Sequence, residues 1–221
     1  MPRAVDVRLY LVTDATLSRG RALAEVVRQA VAGGVTVVQL REKQASTRAF
    51  VARAEELAAL LAPSRVPLII NDRIDVALAV GAAGVHLGQD DMPAAKARRL
   101  LGDDQVLGVS VSTPEEATRA EADGADYLAV SPLYATPTKR DAPTPVGLAG
   151  LAAIRAATRL PLVAIGGLDA DNLTPVLARG ADGIAVVSAI MAADDPGAAT
   201  RLLRERIDRA RAARPGSWRS Y

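Results

Sequence analysis

The sequence predicts an α/β fold in which eight parallel strands alternate with eight helices, a single (β/α)8 TIM barrel. Three observations carry that prediction. Short β-branched runs alternate along the whole chain with stretches rich in Ala, Leu, Arg and Glu that have helical spacing. The strand runs are almost continuously apolar, as expected when both faces of a parallel sheet are covered. A glycine-containing segment, Ala32-Gly-Gly, Ala83-Gly, Gly124-Ala-Asp and Gly180-Ala-Asp, joins helix to strand before every second strand, and glycine suits the left-handed position that ends a helix. The 221 residues match a compact barrel, whose usual size starts near roughly 200 residues; a flavodoxin-like sheet would need only about five strands. We read residues 1–221 as one barrel domain, with a frayed tail from about residue 214.

Taken in order, the strands are expected at 9–13, 37–41, 67–71, 85–87, 106–110, 127–130, 162–165 and 184–187. The intervening helices are expected near 21–32, 47–61, 74–80, 93–101, 114–122, 148–157, 170–178 and 198–213. In such a barrel the C-terminal ends of the strands build the active site. Strand two ends Gln39-Leu-Arg-Glu-Lys43, and period-two alternation puts Gln39, Arg41 and Lys43 on one face. Arg as a planar fork and Lys as a point charge suit phosphate. Strands three and four end Asn71-Asp72 and His86-Leu-Gly-Gln-Asp-Asp-Met-Pro93, which sets Asp72 beside Asp90 or Asp91. Two carboxylates next to cationic groups suit Mg²⁺, which completes its octahedron with water and substrate phosphate; helix capping is the competing use of each. Ser110 stands at the mouth of strand five, with Ser112 or Thr113 as the cap of the next helix. The long stretch Ser131–Gly147 carries Thr136, Thr138, Lys139 and Arg140, and long βα loops are often functional. Gly166-Gly167 after strand seven and Val187-Ser188 after strand eight fall where barrels commonly hold a phosphate on backbone N–H groups. His86 is read as a structural, hydrogen-bonded ring among apolar neighbours.

Composition narrows the chemistry. There is no cysteine and one histidine, which excludes disulfides, thiolate–metal centres, a thiol nucleophile and any site that needs two imidazoles. One Trp, four Tyr and one Phe, with a net charge of +2, argue against a base-stacking nucleic-acid surface. No apolar run is long enough for a signal peptide or a membrane span, so a cytoplasmic protein acting on small phosphorylated substrates, with no nucleic-acid or membrane partner, is expected. Exposed apolar helix faces could support a homo-oligomer. Only three of the 27 basic residues are lysines, and two of them, Lys43 and Lys139, stand at strand ends or in the long loop. Together these features describe two anion sites at one mouth. The site on strands two to four suits a diphosphate with a metal ion, and the site on strands seven and eight suits a monophosphate. A transferase that joins a monophosphate acceptor to a fragment leaving diphosphate follows from that pairing.

The string Gln39-Leu-Arg-Glu-Lys43, Asn71-Asp-Arg, His86-Leu-Gly-Gln-Asp-Asp-Met-Pro93, Gly108-Val-Ser110, Ser131-Pro-Leu-Tyr-Ala-Thr-Pro-Thr-Lys139, Ile165-Gly-Gly167 and Val187-Ser188 resembles the thiamine-phosphate synthase family from about Leu9 to Arg206. The resemblance implies condensation of a hydroxymethylpyrimidine diphosphate with a thiazole phosphate, giving thiamine phosphate and diphosphate, with Mg²⁺. It implies that Gln39, Arg41, Lys43 and Asn71 bind the pyrimidine diphosphate, that Asp72 and Asp91 hold the metal, that Ser110 and Lys139 contact the diphosphate substrate, and that Thr136, Thr138, Gly167, Val187 and Ser188 hold the thiazole phosphate. Lys43, Lys139, Arg41 and Ser110 are then the expected catalytic groups. Many members carry a His where this chain has Ser112; a dissociative displacement needs no side-chain base, so that loss is expected to be tolerated. A thiazole tautomerase of the same fold would have Asn-Gly in place of Asn71-Asp72 and would keep that His. Metal-dependent sugar-phosphate epimerases of this fold use two histidines. A non-catalytic phosphate-binding barrel would have no need of Lys139 with a carboxylate pair.

Overall fold

In the computed structural model, which describes residues 5–136 and 144–213, eight parallel strands close on themselves in sequence order. They are β1 Leu9–Val12, β2 Val37–Leu40, β3 Leu68–Asn71, β4 Gly84–Leu87, β5 Val106–Val111, β6 Tyr127–Val130, β7 Leu162–Ile165 and β8 Gly183–Val186. The helices are α1 Leu23–Gly33, α2 Thr47–Leu61, α3 Ile74–Ala79, α4 Ala94–Leu101, α5 Pro114–Ala122, α6 Gly147–Ala157, α7 Leu173–Ala178, α8 Ser188–Met191 and α9 Pro196–Ala212. The starts of α2, α5 and α9 obey local capping chemistry. Ser46, Thr113 and Asp195 accept from the backbone N–H three residues on, and proline stands at the first helical position of α5 and α9.

Alternation along each strand divides the core in two. Leu9 and Leu11, Val38 and Leu40, Ile70, Val85, Leu107, Leu128 and Leu162 face outward and pack under the helices. Tyr10, Val12, Val37, Ile69, Val106, Tyr127, Val163 and Ala185 fill the interior. Each fully buried Leu or Ile of the outer layer contributes about 1.5–3 kcal/mol.

The repeat before every second strand has a physical basis at the N-terminal end of the barrel. Asp126 Oδ2 accepts from the Leu107 amide at 2.8 Å and from Arg98 of α4 at 2.6 Å. Asp182 Oδ2 accepts from the Leu162 amide at 2.8 Å and from Arg155 of α6 at 3.1 Å. Thr36 plays the same part before β2, where its Oγ1 accepts from the Leu9 amide at 3.0 Å and Arg204 of α9 reaches the Gly34 carbonyl. Gly34, Gly124 and Gly180 have the expected positive φ. The fourth member departs from the reading. Gly84 lies in β4 at an ordinary φ, where a Cβ would sit 2.1 Å from the Val106 carbonyl oxygen, and the left-handed residue before that strand is Gly81.

Two further differences have local causes. The helix expected from residue 170 begins at Leu173 because the side chains of Asp169 and Asn172 take the backbone N–H groups of residues 169, 171 and 172, a polar turn that competes with a first helical turn. Strand eight stops at Val186, since Val187 leaves extended geometry (φ −114°, ψ −80°) to open the short helix α8. The tail from residue 214 lies outside the described residues.

Candidate active site

The mouth of the barrel opens into a cavity of about 190 Å³ whose wall includes side chains from all eight strand ends. On one side stand Arg41, Lys43, Asn71, Asp72, Gly88 and Asp91. Lys43 Nζ donates to Asp72 Oδ2 at 2.6 Å. Asp91 Oδ2 accepts from the Gly88 amide at 2.6 Å. Burial pushes the Asp91 carboxyl above its ordinary range, the Gly88 bond offsets part of that, and the neighbouring Asp72 raises it further. A carboxylate short of compensating positive charge is what a divalent cation would relieve. Helix capping, the competing use of these residues, does not operate: α3 begins after Arg73 and α4 after Pro93, with no side-chain cap at either.

Asp72 has a φ of +64°, and the Arg73 amide donates to the Asn71 carbonyl at 2.8 Å across it, the bond of a γ-turn. The positive-φ form of that turn is rare and strained, and such strain gathers at functional sites. Here it turns the Asp72 carboxylate towards Lys43. Thr13 is fully buried at the end of β1 and its Oγ1 accepts from the Arg41 amide at 3.1 Å, which fixes the chain just before the side chain of Arg41 enters the mouth.

The floor of the cavity is polar. Gln39 Nε2 donates to Tyr10 Oη at 2.9 Å, Tyr10 Oη lies 2.8 Å from Tyr127 Oη, Tyr127 Oη lies 2.9 Å from His86 Nδ1, and His86 Nε2 lies 2.9 Å from Ser110 Oγ. Gly108 makes the room: a Cβ there would stand 2.1 Å from Tyr127 Cζ and 2.5 Å from His86 Nδ1. His86 is therefore not among apolar neighbours, as the sequence reading had it, although its ring is hydrogen-bonded. Burial drives its pKa down to about 4, against a smaller opposing effect of Asp91, so the imidazole is neutral near pH 7. Thr113 caps α5, which leaves the Ser110 hydroxyl to His86 and the cavity.

The opposite side is built by β6, β7 and β8. The Leu133 amide donates to the Ile165 carbonyl at 2.7 Å and the Tyr134 amide to the Gly166 carbonyl at 3.1 Å, so the strand-six loop is stitched over the end of β7. Gly167, at φ +65°, passes so close beneath it that a Cβ would lie 2.7 Å from the Ala135 carbonyl oxygen. Gly167, Val187, Ser188 and Thr136 all line the cavity.

Gln39, Arg41, Lys43, Asn71, Asp72, Asp91, Ser110, Thr136, Gly167, Val187 and Ser188 thus meet at one cavity, whereas Asp90 does not line it. Thr138, Lys139 and Arg140 lie outside the described residues. The sequence reading missed Tyr10, Thr13 and Tyr127 and left His86 without a part in the site; alternation alone points these tyrosines inward, and a polar residue at an inward barrel position was the available signal. Among the described residues no helix is long and apolar enough to cross a membrane.

Comparison with known proteins identifies the family. Residues 9–190 match the family model described as thiamine monophosphate synthase. The chain is 59% identical over 200 residues to a thiamine-phosphate synthase of Chloroflexus aurantiacus, covering 90% of this chain and 92% of that protein. It is 58% identical over 206 residues to the thiamine-phosphate synthase of Albidiferax ferrireducens, covering 93% and 94%. The solved structure of a thiamine phosphate pyrophosphorylase from Pyrococcus furiosus superposes with a TM-score of 0.86 at 40% identity, covering 93% of this chain and 97% of that one. With a closed eight-stranded barrel, this cavity and relatives of that similarity, the chain belongs to the thiamine monophosphate synthase family.

Proposed function

We infer that the cavity joins an aminopyrimidine methyl diphosphate to a thiazole phosphate, releasing diphosphate and forming thiamine phosphate, the condensation carried out by its family. The observation that carries the assignment of parts is the division of the mouth: Arg41, Lys43, Asp72 and Asp91 on one side, and Gly167, Val187 and Ser188 on the other. We assign the pyrimidine diphosphate to Gln39, Arg41, Lys43, Asn71, Ser110 and Lys139. We assign the thiazole phosphate to Thr136, Thr138, Gly167, Val187 and Ser188.

Among the described residues no group of three or more acidic or imidazole ligands gathers, so an all-protein metal cage is not built there. Two carboxylates, one with its pKa raised beside the other, fit Mg²⁺, which keeps water and substrate phosphate as its remaining ligands. Asp72 and Asp91 would hold that ion, whose chemistry when bound is to offset negative charge on the leaving diphosphate.

The chain's own residues then act as follows. Arg41 and Lys43 stabilise the charge that develops on the diphosphate oxygen as the methylene C–O bond breaks and that oxygen takes the electron pair. The amino-substituted ring delocalises the positive charge left on the methylene carbon. Groups just past β7 and β8 hold the thiazole by its phosphate so that its ring nitrogen faces that carbon and supplies the electron pair of the new C–N bond. No proton moves in bond formation, which agrees with a neutral His86 whose two ring nitrogens are both engaged. We place this activity in the cytoplasm, with small phosphorylated molecules as its partners.

Diphosphate release, measured with both substrates and Mg²⁺, tests the reading. Release should require both substrates and fall on chelation of the metal. Asp72→Asn should lower turnover by about 10²-fold or more. A near-normal rate in that variant at saturating substrate would overturn the metal assignment.

A further inference from the structure

The buried chain Gln39–Tyr10–Tyr127–His86–Ser110 is unbranched, and both of its ends line the cavity. We propose that Tyr10, Tyr127 and His86 are positioning residues that give this chain one direction, so that Gln39 presents a hydrogen-bond acceptor to the pyrimidine ring and Ser110 presents a donor. The ligand named here rests on the functional reading above; the direction of the chain does not.

The direction follows from donor and acceptor capacity. The Gln39 side-chain nitrogen can only donate, and it faces Tyr10 Oη. Tyr10 is 1% exposed, so its own proton needs an acceptor within the barrel. Its remaining partner is Tyr127 Oη. Tyr127 is fully buried and, having accepted from Tyr10, has only His86 Nδ1 left to receive its proton. A neutral imidazole that accepts at Nδ1 carries its hydrogen on Nε2. Nε2–H therefore donates to Ser110 Oγ, and the Ser110 proton is left for the cavity. At the other end, Gln39 has committed one N–H to Tyr10 and keeps its carbonyl oxygen, beside the second N–H, to offer.

The close packing of Gly108 against Tyr127 and His86 locks the two rings, which stack with centroids 5.5 Å apart. A 4-aminopyrimidine has the complementary pattern: N–H donors on the exocyclic amine and a lone-pair acceptor on the ring nitrogen across from it. Gln39 and Ser110 belong to β2 and β5, separate parts of the barrel wall, so they can address different edges of one ring. A reversed chain would turn Gln39 into a donor and Ser110 into an acceptor, the wrong way round for that ring.

The chain contains one histidine, so untagged protein labelled with ¹⁵N-histidine reports a single imidazole. In the absence of substrate we expect a neutral ring near pH 7 with the proton on Nε2 and a pyridine-like Nδ1. Tyr127→Phe removes the donor to Nδ1 and should mix the two tautomers. In the same variant the KM for the pyrimidine diphosphate should rise about tenfold, the size expected for misdirected buried hydrogen bonds, while the KM for the thiazole phosphate changes less than about twofold. Tyr10→Phe cuts the chain on its other side; it should raise the same KM and leave the wild-type tautomer in place. Circular dichroism of each variant verifies the fold. A proton on Nδ1, an imidazolium at pH 7, or an unchanged KM for the pyrimidine substrate in both folded variants would overturn the proposal. Absence of diphosphate release from the wild-type protein would instead overturn the functional reading, and the tautomer would still decide the direction of the chain.

Discussion

Replacing Gly108 by alanine adds one methyl group at the point where the polar floor is tightest. The new Cβ would stand 2.1 Å from Tyr127 Cζ, 2.3 Å from its Oη and 2.5 Å from His86 Nδ1. To restore an ordinary contact of 3.4 Å, the Tyr127 ring must retreat by about 1.3 Å. Its hydroxyl is held at 2.8 Å and 2.9 Å by Tyr10 and His86, so a shift of that size breaks at least one of these bonds. Overpacking costs about 1–3 kcal/mol, and each buried polar group left without a partner adds about 1–3 kcal/mol. A loss of about 4 kcal/mol follows, equivalent to roughly 8–16 °C in Tm for a chain of this size. Urea denaturation of Gly108→Ala measures it. In a double-mutant cycle with Tyr127→Leu, which removes the nearer of the two obstructing rings, the cost of the alanine should fall, leaving the part that the His86 contact imposes. A single variant within about 1 kcal/mol of wild type, or a cost that Tyr127→Leu leaves unchanged, would refute the close-packing argument.

Three other outcomes are expected. Asp126→Ala leaves the Leu107 amide and the Arg98 guanidinium short of a buried acceptor and should lower stability by about 3–5 kcal/mol; denaturant midpoints would show it, with kcat little changed because the residue is remote from the mouth. Asp182→Ala should do the same through Leu162 and Arg155. The third concerns pH. Because the folded pKa of His86 is depressed from 6.5 to about 4, the unfolded chain takes up a proton that the folded chain refuses. His86 should therefore contribute a loss of stability as pH falls from about 6.5 to about 4, reaching about 3 kcal/mol. Comparing urea midpoints of wild type and His86→Gln across that window isolates it, and parallel pH profiles would contradict it.

The sequence made the barrel legible because each strand announces itself by a β-branched run and each helix by its spacing, and neither signal depends on distant residues. It also made the rim legible. Period-two alternation beyond β2 brings Gln39, Arg41 and Lys43 to the cavity, and Asp72 and Asp91 stand where consecutive strands end. What the sequence hid depends on closure of the sheet. Tyr10, His86 and Tyr127 are far apart along the chain and meet only when β1, β4 and β6 share one interior. The positive φ of Asp72 was equally hidden, since an aspartate in a strand-to-helix turn is read first as a cap. The four residues of α8 are too few to show a helical period.

The Asp126 and Asp182 junctions lie at the opposite end of the barrel from the chemistry. They fasten strand to strand through backbone amides and helix arginines, without recruiting any loop that faces the cavity. Structural integrity and the proposed substrate contacts thereby fall at different poles of the molecule. On the proposed reading, changes to Val187 or Ser188 that alter which acceptor is taken should leave the resistance of the fold to heat largely untouched, whereas Gly167, with no room for a Cβ, is not free to change. New specificities in this scaffold are then open to selection in single steps, without a compensating substitution elsewhere.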